Sequence, residues 1–222
     1  MFSQMFDLKP GVVSVIGSGG KTTLLSTLAR ELPGPVILCT TTYMFPFSEY
    51  PLISGDDAGA LNAALARSRV ACLGQPGKDG KLTAPALPFS LLRELVPWVL
   101  VEADGSKHLP LKAHASYEPV VPPESSHTIL VAGASGFGAP ISQAVHRPER
   151  FCTLTGAQLQ DLVTPELAAR AISREGLARQ VFLNQVESRS DWAQAEQFAR
   201  AFQESGIQVF AGSLRQDICR RF

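Results

Sequence analysis

Cysteine is scarce and scattered in this 222-residue sequence: Cys39, Cys72, Cys152 and Cys219 are its four, with no C-x-x-C pair and no histidine at zinc-finger spacing. Neither a disulfide framework nor a zinc finger is expected, and free thiols suit a reduced, cytoplasmic setting. Charge is thin as well. Charged residues make up 18%, below the roughly 25% of an average soluble domain, and 20 Lys+Arg offset 20 Asp+Glu. Zero net charge offers no broad basic face to a nucleic-acid backbone or an anionic membrane, so neither is expected as a partner. No window approaches the roughly 18 apolar residues of a membrane span. Asp7 and Lys9 interrupt what would have to be the apolar run of a secretion signal. Repeats and low-complexity tracts are also missing.

What is present is a chain with 45% hydrophobic residues, long enough at roughly 100–200 residues per domain to fold as one domain over 1–222. Short apolar runs alternate with helical patterns. The runs are Val12–Ile16, Val36–Cys39, Val70–Leu73, Trp98–Val101, Ile129–Val131, Val181–Leu183 and Gln208–Phe210. Between them, helices are predicted over Thr22–Glu31, Ala58–Arg67, Phe89–Leu95, from Pro165 through Ala171, and over Asp191–Gln203, with a turn or hairpin tip around Gly74–Thr83. This alternation predicts an α/β chain with a mostly parallel sheet and helices on both faces, a three-layer fold like that of P-loop NTPases. Residues 103–127 and 133–150 show no clear element, and loops that long in a compact domain are candidates for function.

Gly17-Ser18-Gly19-Gly20-Lys21-Thr22-Thr23 stands between the first predicted strand and the first predicted helix. Glycines there let backbone N–H groups turn toward an anion, and the helix start adds partial positive charge. Lys21 would reach β- and γ-phosphates, and the Thr22 hydroxyl would hold Mg²⁺. The strict G-x-x-x-x-G-K-[ST] pattern is not met, because Val15 holds the first glycine position. The shorter spacing resembles the loop of the Mur-type amide ligases. A dinucleotide fingerprint is disfavoured, since Thr22 stands where its third glycine belongs.

Val99-Leu100-Val101 runs into Glu102-Ala103-Asp104-Gly105-Ser106-Lys107, an apolar strand delivering carboxylates to the edge where parallel sheets bind ligands. Glu102 and Asp104 are candidates to hold Mg²⁺ or a water, or to activate a nucleophile. Thr40-Thr41-Thr42 brings hydroxyls to the same edge, with Thr41 a candidate for the metal-water shell. Asn184-Gln185-Val186-Glu187 follows a late strand where GTPase-like folds carry Asn-Lys-x-Asp to read a purine, which makes Asn184 and Glu187 candidate base contacts. His146 could move a proton, and Arg147 could stabilise charge on a transferring phosphoryl group. Lys107, His108, Lys112, His114 and Glu118 make the loop after Asp104 polar and partly basic, suited to an anionic ligand.

GSGGKTT, CTTTYM, VEADGSKHLPLKAHASYEPVVP, VHRPE and LNQVE, in that order, resemble the YqeC family of selenium-dependent hydroxylase accessory proteins. The resemblance covers nearly the whole chain, and the EADGSK segment with the following E-P-V-V-P and H-R-P-E is its most specific part. It implies a nucleotide-binding protein that assists maturation of molybdenum hydroxylases carrying a labile selenium. Its partner would then be a hydroxylase apoprotein or the cofactor-maturation machinery. It also implies that Gly17–Thr23 form the phosphate site, that Thr40–Thr42 and Glu102–Lys107 form the catalytic surface, and that His146 and Arg147 contribute later. Family members usually carry Asn-Lys-x-Asp, from which Gln185 and Glu187 depart.

Three activities remain open at this level. The first is an NTPase using Mg²⁺ with ATP or GTP. The second is a ligase or kinase acting on a small anionic substrate. The third is a nucleotide-sensing chaperone that binds without hydrolysing.

Overall fold

A computed structural model describes residues 1–222. Helix α1 (Phe2–Met5) leads into β1 (Gly11–Gly17), α2 (Lys21–Glu31) and β2 (Val36–Thr40). There follow β3 (Leu52–Ile53), α3 (Ala58–Arg67), β4 (Val70–Leu73), a hairpin of β5 (Gln75–Pro76) and β6 (Leu82–Thr83), α4 (Phe89–Leu95) and β7 (Trp98–Glu102). The second half holds β8 (Leu111–Lys112), β9 (Ser125–Gly133), α5 (Ile141–Ala144), β10 (Val145–His146), α6 (Pro148–Thr155) and α7 (Pro165–Glu175). It closes with β11 (Gln180–Asn184), α8 (Arg189–Arg200), β12 (Gln208–Ser213) and β13 (Ile218–Arg221).

Nine strands form one sheet in the order β13-β12-β11-β9-β1-β7-β2-β4-β3. Every pairing is parallel except β12 with β13. Strands β2, β4 and β7 are buried along their whole length, as expected where helices cover both faces of a parallel sheet. Alternate residues divide between two cores. Val12, Ile16, Ile37, Val99 and Val101 pack on the side of α3, α4, α6, α7 and α8. Val13, Val15, Val36, Leu38 and Leu100 pack with Phe2, Phe6 and with Leu24, Leu25 and Leu28 of α2. The result is three layers. From β1, the earlier strands extend to one side and the later ones to the other, so the turn after β1 opens at the switch in strand order where such sheets bind ligands.

The differences from the sequence prediction have physical causes. Helix α1 was not predicted. Two rather than one of its first residues are tied down, the Phe2 and Ser3 N–H groups donating to the Glu31 carboxylate at 3.0 and 2.7 Å, and the Phe2 and Phe6 rings meet Phe182 edge-on. Strand β13 carries Arg220 and Arg221, which conceal a strand in a composition reading, and it pairs antiparallel with β12 at the sheet edge. Helix α8 begins at Arg189 rather than Asp191, because Ser188 and Asp191 form a capping box. It ends at Arg200, short of Gln203. Within the two unassigned stretches the chain forms α5, the start and end of β9, and the β8–β10 pair, two-residue strands with Leu111 opposite Val145 and Lys112 opposite His146. No helix is long and apolar enough to cross a membrane.

Candidate functional site

Strand β1 ends at Gly17, and Ser18, Gly19 and Gly20 turn the chain into α2, whose first residue is Lys21. At Gly19, φ is +83°, and a Cβ would lie 2.4 Å from Gly133 N and 2.8 Å from Pro110 O. Only glycine fits where the turn is pressed against the approach to β8 and the end of β9. At Gly20, φ is +131°, and a Cβ would lie 2.4 Å from Asn184 Nδ2. That amide donates to Gly19 O at 2.8 Å, while Asn184 Oδ1 accepts from Leu214 N at 3.1 Å. Asn184 therefore clamps the glycine turn to the segment after β12. Glu187 is exposed and accepts from Ser213 Oγ at 2.9 Å.

Lys21 is buried, with a relative exposure of 4%. Its ammonium donates to Gly17 O at 2.8 Å and Ser106 Oγ at 3.2 Å, and it pairs with Asp104 Oδ1 at 3.2 Å and Glu102 Oε1 at 3.8 Å. Thr22 donates its hydroxyl to Glu102 Oε2 at 3.0 Å. The next residue, Thr23, lies exposed on α2. The Thr41 hydroxyl points elsewhere: it donates to Val120 O at 2.6 Å in the loop before β9, while the Thr41 backbone N–H donates to Glu102 O at 3.1 Å, so no Thr41 side-chain oxygen meets the Glu102 carboxylate. Thr40 donates to Glu102 O at 2.7 Å and braces the end of β7.

Glu102 and Asp104, two residues apart, meet opposite electrostatics. Burial raises the Glu102 carboxyl above its usual range, against the opposing pull of Lys21 and Thr22. Asp104 is also buried, which by itself would raise it, but the His114 hydrogen bond and the Lys21 and Lys112 charges prevail and hold it down at about 2. Asp104 Oδ2 accepts from Gly17 N at 2.8 Å, Lys112 Nζ at 3.0 Å and His114 Nε2 at 2.8 Å. The other ring nitrogen of His114 meets Glu175 Oε2 at 2.7 Å. Lys112 also reaches Gly105 O at 2.5 Å and Glu118 Oε2 at 2.7 Å. Glu118 Oε2 in turn accepts from Arg147 Nη1 at 2.8 Å, and Arg147 lies over the Tyr117 ring at 5.6 Å. His146 is half-buried, and burial together with Arg147, Lys112 and Lys107 lowers its pKa.

The structure thus brings Gly17–Gly20, Lys21, Thr22, Glu102 and Asp104 together, and links Arg147 to Asp104 through Glu118 and Lys112. Lys112, His114 and Glu118, expected to line an anion-binding loop, are instead committed to a buried ion network. Lys107 and His108 stay exposed on a turn with positive φ at both residues. Glu175 carried no signal in the sequence beyond preceding a helix-ending glycine. Two buried atoms here have no hydrogen-bond partner, Ser18 Oγ and Asp104 Oδ1. The left-handed turn, the helix start and Lys21 suit a phosphate. Thr22 Oγ1, the Glu102 carboxylate and Asp104 Oδ1 are the hard oxygen donors that Mg²⁺ takes.

Residues 13–149 match the family model described as YqeC protein. The chain belongs to the YqeC family. It is also similar to the protein named uncharacterized protein YqeC of Escherichia coli (strain K12), 32% identical over 237 residues that cover 96% of this chain and 92% of that protein. The matched span includes the glycine turn, Glu102, Asp104 and Arg147, and ends before Glu175, Asn184 and Glu187.

Proposed function

We propose that this YqeC-family chain is a P-loop nucleotide-binding protein that takes Mg²⁺ with ATP or GTP and hydrolyses the nucleotide. The observation that carries this is the position of Lys21, a buried ammonium at the start of α2, between the glycine turn and two carboxylates. Turn amides would receive the phosphates, and Lys21, paired with Glu102 and Asp104, would neutralise β- and γ-oxygens. Thr22, Glu102 and Asp104 would hold Mg²⁺, which would supply positive charge to offset that of the phosphates.

Of the two carboxylates Glu102 is the one raised by burial and so, where it does not hold the metal, the better proton acceptor; its Oε2 accepts from Thr22 and its Oε1 faces Lys21 at 3.8 Å. Asp104, held near 2, remains an anion and serves orientation. Arg147 retains unused guanidinium donors beyond those engaged by Glu118 and Tyr117, which suits it to developing negative charge. With Asn184 engaged in the clamp, discrimination between bases would fall to Gln185, Glu187 and their neighbours.

Family membership supports the wider role, an accessory factor in the cytoplasm for maturation of a selenium-dependent molybdenum hydroxylase, with the apoprotein or its cofactor machinery as partner. A second reading, a ligase or kinase with a small anionic acceptor, is favoured by Lys107 and Arg147, which lie close enough to His146 to lower its pKa. Calorimetric titration of ATP and GTP, each with Mg²⁺, into the wild type and a folded Lys21→Ala variant tests the proposal. Wild-type binding that weakens by about 100-fold in the variant is the expected outcome. A folded wild type that binds neither nucleotide overturns it. Turnover that rises only with an added anionic acceptor would select the second reading.

A further inference from the structure

Asp104 is held asymmetrically. Oδ2 meets three nitrogens from two parts of the chain, Gly17 N on one side and Lys112 Nζ and His114 Nε2 on the other. Oδ1 is just as buried, has no hydrogen-bond partner, and faces Lys21 Nζ at 3.2 Å. His114 is held from behind by Glu175, whose Oε2 meets Nδ1 at 2.7 Å while Oε1 accepts the His114 backbone N–H at 2.6 Å. Each ring nitrogen of His114 thus meets a carboxylate oxygen, so the ring is pinned at both ends. Arg150 closes the other side by donating Nε to His114 O at 2.7 Å.

Stability alone is a poor reason for this construction, because ions are expensive to bury and apolar side chains of similar volume hold a core at least as well. Orientation is a better one. A carboxylate behind a histidine is how proteins set the direction of an imidazole and of whatever the ring holds in turn.

We infer that His114, anchored by Glu175, is a positioning residue that locks Asp104 so that Oδ1 faces Lys21. This rests on the nucleotide reading of the same site and extends it to two residues that touch neither phosphate nor metal. It predicts that metal-free nucleotide binding, which depends on Lys21 and the turn amides, survives loss of the pair. What suffers is the part that needs Asp104 correctly aimed.

The test compares wild type, His114→Leu, Glu175→Ala and Glu175→Gln by thermal melting, by nucleotide titration with and without Mg²⁺, and by kcat and KM. In His114→Leu, metal-free affinity and KM should stay within about twofold, while the gain in affinity from Mg²⁺ and kcat each fall about 10- to 100-fold. Glu175→Ala should move the same way by about tenfold. Glu175→Gln should recover part of it, since the amide oxygen can still meet Nδ1 while the amide nitrogen cannot accept from the His114 backbone N–H. The double variant His114→Leu/Glu175→Ala should be no worse than His114→Leu, as expected for two residues acting through one chain of contacts. If His114→Leu fails to fold, the Ala and Gln variants of Glu175 still decide. Folded variants with wild-type kcat and an unchanged Mg²⁺ effect overturn this inference alone. A folded wild type that binds no nucleotide overturns the reading of the site and this inference with it.

Discussion

Between Gly17 and Thr23 the chain builds its side of the site from consecutive residues, a neutral turn of backbone amides with the single ammonium of Lys21. The facing side gathers Asp104, Lys112, His114 and Glu118 from one stretch and adds Arg147 and Glu175 from later in the chain, so that each carboxylate meets a lysine, arginine or histidine nitrogen. The turn has unpartnered polarity at Ser18 and a cation able to change partners. The network is closed, with Lys112 engaged by Asp104, Glu118 and Gly105. One side leaves polar groups without protein partners, and the other engages most of its own, with Arg147 alone keeping spare donors at its edge. Lys21 and Asp104 are where they touch.

The largest way to break this contrast is Asp104→Asn, which leaves Lys112 and His114 buried beside a neutral partner. A loss of about 3–5 kcal/mol is expected in urea denaturation, and a loss under 1 kcal/mol would show that the network is not a closed ionic unit. Lys21→Ala strikes the other side. Turnover should fall by about 100-fold or more in a folded protein, because Asp104 keeps its three other donors; equal turnover would remove the lysine from the chemistry.

Acid should sharpen the comparison. With Asp104 held at about 2 against an ordinary value of 3.8, the unfolded chain takes up the proton first. The contribution, on the order of 2 kcal/mol, is therefore complete above the ordinary value and lost as pH falls through about 2. Denaturation midpoints should drop more steeply in wild type than in Asp104→Asn over that window. Asn184→Ala should loosen the glycine turn by about 1–3 kcal/mol, weakening ATP and GTP binding alike; a changed ratio between them would return Asn184 to base recognition. Smallest of all, Thr41→Val should alter stability and turnover little, within about 0.5 kcal/mol, whereas Thr22→Val should remove most of the Mg²⁺ dependence. Equal effects in the two threonine variants would sink the distinction between them.

Legibility followed the same division. Helices α3 and α4 match their predicted bounds, Ala58–Arg67 and Phe89–Leu95, because Asp57 caps the start of α3 and Pro88 and Pro97 bracket α4. Glu102 and Asp104 could be placed beside Lys21 from their position at the end of a buried strand. Thr41 and Asn184 could not be assigned their partners, since Val120 and Leu214 are distant in sequence and each contact is a single hydrogen bond with no periodic trace. Lys112, His114 and Glu118 read as a solvated basic loop because a charged side chain looks the same in sequence whether it faces water or a buried partner.

The sequence by itself determined the alternation of strands and helices, the parallel sheet, the glycine turn with Lys21 and Thr22, and the carboxylates after β7. Each of these depends on neighbours within a few residues, on hydrophobic period or on the conformational freedom of glycine. Only the tertiary structure decided which oxygen of Asp104 is held and which is left facing Lys21. That choice depends on Gly17, Lys112, His114 and Glu175 converging on one buried carboxylate, and the energy of a buried charge is set by its surroundings in space rather than by its neighbours along the chain.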